Sequence, residues 1–309
     1  MPACNETQEA GISKMMQVVR FKNSPIITPH MDSRMGSNIN GPSLIRVPEW
    51  LPNPLGKYYL YFAHHRGDYI RLAYADEMAG PWRTYEPGTL QMAQSYFDDH
   101  IASPDVHVDN ERREIRMYYH GKMLKDPLRF QFTRVATSTD GINFTAREEI
   151  LGDVPYFRVI PYREGFLATG MPGTFYRSLD GMRRFEKGPS LFTPNMRHTA
   201  LKLDGDLLTI LYTNVGEEPP ESILMTTVDL AGDWYDWRPA PPSIVLKPEY
   251  DYEGINAEHV PSRRGEVMEP AYQLRDPAFY EEDGRLFLLH TVAGEYGIAI
   301  AEVVGGPKS

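Results

Sequence analysis

Arg275-Asp276-Pro277-Ala278-Phe279, the turn Asp283-Gly284 and Leu286-Phe287-Leu288-Leu289 decide the fold, because the chain repeats this pattern five times. An apolar strand, a polar turn and a second strand rich in Tyr, Phe or Leu form the unit. Upstream copies are Gly41-Pro42-Ser43-Leu44-Ile45 with Tyr58-Tyr59-Leu60-Tyr61-Phe62, and Ser103-Pro104-Asp105-Val106 with Ile115-Arg116-Met117-Tyr118-Tyr119. Tyr156-Phe157-Arg158-Val159-Ile160 with Gly165-Phe166-Leu167-Ala168, and Arg197-His198-Thr199-Ala200-Leu201 with Leu208-Thr209-Ile210-Leu211-Tyr212, complete the set. A fixed repeat of this kind marks a radial or solenoid architecture.

The first four copies are each followed by a third strand, a small or turn residue, and an aromatic. The aromatics are Trp82, Phe144, Phe185 and Trp234; Asp140-Gly141 and Asp180-Gly181 supply two of the turns. Asp-Gly between strands is a strong hairpin signal. Each unit therefore reads as four antiparallel strands, one propeller blade. The fifth copy ends at Ile298-Ala299-Ile300-Ala301 with no aromatic strand after it, whereas Val18-Val19-Arg20-Phe21 is an orphan. The pattern predicts an all-β, five-bladed β-propeller whose last blade is closed by the N-terminal strand, which removes a sheet edge. No linker interrupts it, so residues 1–309 read as a single domain, with residues 1–15 as a flexible tail.

Composition agrees with strands: 12% of residues are aromatic, with 25 Gly and 26 Pro to make turns. A net charge of −10 without a Lys/Arg cluster argues against nucleic acid as a partner. No stretch is long and apolar enough for a membrane span, and the first residues lack a signal-peptide run. One cysteine, Cys4, permits no internal disulfide, which suits a reducing compartment. The expectation is a cytoplasmic protein with no nucleic acid and no membrane partner.

The fragments Leu274-Arg275-Asp276-Pro277-Ala278-Phe279, Ala102-Ser103-Pro104-Asp105-Val106 and Ala79-Gly80-Pro81-Trp82 resemble those of the five-bladed propeller glycoside hydrolases, the arabinanase/xylosidase, invertase/levanase and neoagarooligosaccharide hydrolase relatives. The likeness runs from about residue 40 to residue 301. It implies two-carboxylate chemistry on a small saccharide or glycoconjugate, with a further carboxylate tuning the acid. The first-blade Arg-Asp-Pro of such enzymes is matched here by Asn40-Gly41-Pro42, and the string itself stands in the fifth unit at Arg275-Asp276-Pro277.

In a propeller, inner strands start at the pocket mouth and second strands end there. That geometry nominates Asp105 and Asp276 as catalytic carboxylates and His198 or His120 as the acid, His being suited to proton transfer near neutral pH. Asn40, His64 or its neighbour His65, His100, Arg158, Arg197, Arg275, His290 and Glu269 are expected to bind substrate. Inward arginines suit either a uronate-type anion or the neutralisation of pocket carboxylates. The irregular segment 250–269 and the Tyr96-Phe97-Asp98-Asp99-His100 loop read as entrance loops, and Trp50, Tyr96, Phe97 and Tyr156 as stacking aromatics. No cofactor is implied, although the histidines together with Asp105 could hold a divalent metal ion. Two alternatives stand beside the hydrolase: a histidine- or metal-assisted lyase or isomerase, and a non-catalytic sugar-binding propeller.

Overall fold

The computed structural model describes residues 16–124 and 131–305; the expected tail, with Cys4, lies outside the described residues. Five four-stranded antiparallel sheets form the ring. Blade 1 comprises β2 (Asn40–Arg46), β3 (Tyr58–Ala63), β4 (Arg71–Ala75) and β5 (Arg83–Tyr85). Blade 2 comprises β6 (Ile101–Asp109), β7 (Glu114–Lys122), β8 (Gln131–Ser138) and β9 (Thr145–Ala146). Blade 3 holds β10 (Arg158–Tyr162), β11 (Gly165–Gly170), β12 (Thr174–Ser178) and β13 (Glu186–Ser190). Blade 4 holds β14 (Met196–Asp204), β15 (Leu207–Asn214), β16 (Ile223–Asp229) and β17 (Ser243–Leu246). Blade 5 runs from β18 (Arg275–Glu282) through β19 (Arg285–Thr291) to β20 (Ile298–Val304), and its outer strand is β1 (Gln17–Arg20). The closure expected of the orphan strand is thus observed, with Gln17 opposite Val304 and Arg20 opposite Ala301.

Side chains explain how flat sheets become a ring. The predicted aromatics Trp82, Phe144 and Phe185 stand immediately before the outer strands β5, β9 and β13, and Trp82, Phe144 and Trp234 are buried. Second strands bury both faces, as Tyr58–Ala63 does completely, because each sheet is covered by a neighbour on either side. The phenol of Tyr61 in blade 1 donates to the Gly141 carbonyl in the Asp-Gly turn of blade 2, and Tyr118 in blade 2 donates likewise to Gly181 of blade 3. A large apolar ring therefore buries its area between blades while its one polar atom is satisfied.

Blade 5 is latched as well as zipped. Arg20 binds the buried Glu253 through Nε at 2.6 Å and Nη2 at 3.1 Å, and Glu249 at 2.9 Å. Closure thereby reaches beyond the backbone ladder to the short helix Asp251–Glu253 ahead of the last blade.

Four of the five inner strands break their ladder at one place, whereas β10 pairs without interruption. Pairing is interrupted between Asn40 and Ser43, Ala102 and Asp105, Arg197 and Ala200, and Arg275 and Ala278. The first bulged residue is left-handed every time: Gly41 (φ 61°), Ser103 (φ 49°), His198 (φ 56°) and Asp276 (φ 48°). Tyr156 (φ 57°) occupies the corresponding place ahead of β10. Bulges re-aim side chains, and non-glycine residues hold this conformation only when the surroundings enforce it.

Candidate functional site

The four bulge residues and Tyr156 gather at one end of the propeller axis. The pocket there has a volume of 530 Å³, and its lining includes Asn40, His65, His100, His120, Tyr156 and His198. Bulge chemistry differs around the ring: no side chain at Gly41, a hydroxyl at Ser103, a phenol at Tyr156, an imidazole at His198 and a carboxyl at Asp276.

Asp276 is a buried carboxyl beside the pocket, 1% exposed and not itself among the lining residues. Its Oδ2 accepts from Thr291 Oγ1 at 3.1 Å, and its Oδ1 has no hydrogen-bond partner but lies 3.8 Å from His198 Nε2. Burial, aided by the nearby Glu295 charge, pushes its pKa up to about 6, against the pull of Arg275, Arg197 and Arg158. His198 repeats the arrangement one blade earlier, with Nδ1 3.2 Å from Thr213 Oγ1. Burial and then the charges of Arg197 and Arg275 push its pKa well below the ordinary imidazole value; burial and His100 do the same to His120. Tyr156 lies between them, its ring centroid 5.0 Å from His120 and 4.5 Å from His198. Both imidazoles are thus neutral at physiological pH, able to accept a proton or donate one hydrogen bond, whereas Asp276 is a carboxyl that titrates close to neutrality.

A buried ionic cluster holds this floor. Arg197 donates to Glu221 from Nε at 2.9 Å and Nη2 at 2.5 Å. Arg275, fully buried, reaches Glu295 Oε1 at 3.2 Å and lies 3.6 Å from Glu221. Glu295 also accepts from Asn38 at 2.6 Å and contacts His65 Nδ1 at 3.1 Å. Burial alone would raise its pKa, but the His65 contact, Arg275 and Asn38 hold it down to about 2. Several polar atoms around the pocket lack partners among the described residues: both amide atoms of Asn40, Ser103 Oγ and Asp276 Oδ1. Buried polar atoms are rarely left so, and each marks a place for a ligand or water atom.

His198, His120, His100, Asn40 and Arg197 therefore line one pocket, with Asp276 buried beside His198 and Arg275 beside Glu221. Other expected site residues are elsewhere. Asp105 lies two residues past its bulge and faces a separate 170 Å³ cavity farther down the axis, with Arg158. There its Oδ2 accepts from the Val159 amide at 2.9 Å and pairs with His107 at 2.8 Å, so it braces blade 3. Arg158 donates to the Ser103 and Phe157 carbonyls. His64 points aside and accepts from the Arg66 amide, leaving its neighbour His65 as the lining residue. His290 is entombed behind the floor, 4.0 Å from Glu253, and Glu269 is exposed outside the pocket. Of the two entrance loops, 250–269 sends Arg264, Gly265 and Glu266 to the mouth, and Asp99 and His100 come from the other. Tyr156 lines the pocket, whereas Phe97 is core against Tyr119, Trp50 packs on that core and Tyr96 is exposed.

The residue matching the aspartate of Arg-Asp-Pro in blade 1 is Gly41, not Asn40; Asn40 shares its register position with Arg197 and Arg275. No group of three or more His, Cys, Asp or Glu among the described residues is arranged to hold a metal ion, and Asp105 does not join the histidines. Glu221, Glu295 and Asn38 were not among the sequence candidates. The connections that leave the second strands bring Glu221 and Glu295 to the same end as His65 and Lys122, a signal present in the topology but not in any motif.

A five-bladed propeller with a polar axial pocket is the architecture of the GH43 glycoside hydrolases, and this chain has their fold. The GH43_1 enzyme of Xanthomonas citri complexed with xylotriose superimposes with a TM-score of 0.62 over 90% of each chain at 9% identity. CoXyl43, a GH43 β-xylosidase/α-arabinofuranosidase from a compost microbial metagenome, gives 0.60 over 89% of this chain and 93% of its own at 10% identity. No protein-family model matches the chain. In sequence it is 35% identical over 325 residues to "Uncharacterized protein R118" of Acanthamoeba polyphaga mimivirus, covering 93% of this chain and 90% of the viral one. The chain belongs to the family of that viral protein. No helix among the described residues is long and apolar enough to cross a membrane.

Proposed function

We propose that the protein is a glycoside hydrolase-like enzyme acting on a small saccharide or glycoconjugate in the axial pocket, in a reducing, cytosolic setting. The observation that carries this reading is Asp276 Oδ1, a buried carboxyl oxygen without a partner among the described residues, 3.8 Å from the pocket-lining His198. A carboxyl titrating near 6 can hand a proton to a leaving oxygen and take one back. His198, neutral and 3.8 Å away, serves as its proton partner, and Tyr156 offers a ring face for the sugar. Asn40 and Ser103 supply hydrogen bonds to hydroxyls. Asp105 has no part in this version, because it faces the other cavity.

A second reading rests on a specific feature. Two-carboxylate hydrolysis needs a partner for Asp276, but Gly41 and Ser103 stand where two neighbouring blades present bulge side chains. A histidine-driven elimination or isomerisation needs only the Asp276–His198 pair. Incubation of wild type and Asp276→Asn with a panel of glycosides in ¹⁸O-water separates the possibilities. Hydrolysis places solvent oxygen in a product; elimination gives an unsaturated sugar instead. Full turnover by Asp276→Asn would sink both.

A further inference from the structure

The axial pocket is cationic inside an anionic protein. The chain carries a net charge of −10, yet the lining contains Arg66, Lys122, Arg197 and Arg264 against two carboxylates, Asp99 and Glu266. Pairing disposes of some of these charges. Arg66 meets Glu266 at 2.7 Å, and the inner pair Arg197 and Arg275 is balanced by Glu221 and Glu295. Neutralisation of floor carboxylates thus explains the deep arginines. It does not explain the mouth. Arg264 donates to the Pro194 carbonyl and meets no carboxylate among the described residues, while Lys122 comes only within 3.7 Å of the exposed Asp99. Arg197, 4% exposed, spends Nε and Nη2 on Glu221, and its remaining Nη1 meets no acceptor among the described residues. Its guanidinium is therefore fixed in orientation by Glu221 with one donor edge left over, a preorganised half of an anion site.

Resting on the saccharide reading above, we propose that the pocket selects a sugar bearing an anionic group, a carboxylate or a phosphate ester, held between Arg197 Nη1 on the wall and Arg264 and Lys122 at the mouth. A concave, partly desolvated site concentrates the field of these charges, so an anionic substrate is drawn in although the protein as a whole repels it. Charge-assisted hydrogen bonds to the anion then discriminate against the neutral sugar, which would leave Arg197 Nη1 unpaired.

The test is calorimetric titration of the full-length protein with gluco-, galacto-, manno- and xylo-configured sugars, each neutral, as its uronate where one exists, and as its phosphate. Uronate against phosphate distinguishes the two anion sources. At least one anionic sugar is expected to bind tenfold or more tightly than its neutral counterpart, and increasingly weakly as salt rises. Arg264→Gln and Lys122→Gln, both at the exposed mouth, are each expected to weaken the anionic sugar about tenfold and leave the neutral one unchanged. Equal binding of charged and neutral sugars, or unaltered anion affinity in the double variant, overturns the proposal but leaves the saccharide reading standing. Failure of every sugar to bind the native protein overturns both.

Discussion

Asp276 Oδ1 and His198 Nε2 face each other at 3.8 Å across the seam between blades 5 and 4, each side chain tethered by a threonine of the adjoining second strand. The pair is too far apart for a full hydrogen bond and too close for either group to titrate alone. That spacing suits a bridging ligand atom.

The carboxyl of the pair makes stability depend on pH. A folded-state pKa of about 6, raised above the ordinary carboxylate value, means that the folded protein binds more protons than the unfolded one between about pH 4 and 6. Its contribution is therefore full below pH 4 and is lost as pH rises through 6, on the order of 3 kcal/mol in all. Asp276→Asn keeps the Thr291 contact and removes the charge. It is expected to be more stable than wild type at pH 8, equal to it near pH 4, and inactive. Urea midpoints at the two pH values measure the first claim; if the variant is destabilised at pH 8, the charge is not what burial penalises.

His290 acts in the opposite direction. Burial pushes its pKa down to about 3, so it stays neutral in the fold, and neither ring nitrogen has a hydrogen-bond partner among the described residues. Stability from this group is present above the ordinary imidazole value near 6.5 and is lost as pH falls towards 3. His290→Leu should leave the pH 7 denaturation midpoint nearly unchanged and flatten the decline between pH 6 and 4. An equally steep decline in the variant would assign the acid sensitivity to other groups.

Removal of the Arg20 side chain strands a carboxylate. Glu253 is fully buried and Arg20 is the cation bonded to it, with the Glu249 and Tyr250 amides left to it besides, so Arg20→Ala should cost about 3 kcal/mol. The double variant Arg20→Met/Glu253→Met should recover most of that loss. If the single and double variants denature alike, the ion pair is not the latch.

An aspartate in place of Gly41 carries a cost. The φ of 61° is left-handed, and a Cβ there would sit 2.7 Å from the Ser103 Cα. Gly41→Asp is therefore expected to lose about 2–4 kcal/mol and gain no activity. Thermal denaturation and turnover together check this; a stable, more active variant would mean that the axis can open to admit a second floor carboxylate.

The ring was legible in the sequence because it is written in local signals. Asp140-Gly141 and Asp180-Gly181, the aromatics ahead of the outer strands and the orphan strand at 17–20 all act through nearest neighbours or simple pairing. The site was legible only in part. Inner-strand starts pointed to Asp276 and His198, yet the same rule placed Asp105 with them. The bulge is the reason: it inserts one extra residue into the inner strand, so Asp105, directly after the Pro of Ser103-Pro104, belongs to the next tier down the axis. Register of that kind depends on backbone φ values, which no side-chain alternation reveals. Glu221 and Glu295 escaped for another reason. Their role comes from Arg197 and Arg275, partners 20 or more residues away that meet them only once the ring is built.

Zipping β1 onto β20 has a consequence for how copies of the protein behave together. A molecule trimmed of residues up to 20 would present the backbone donors and acceptors of β20 to solvent, together with the uncompensated Glu253. The strand that fits that flank best is the same strand of another copy. The intactness of a four-residue segment therefore decides whether this propeller closes on itself or offers an open sheet edge to another chain.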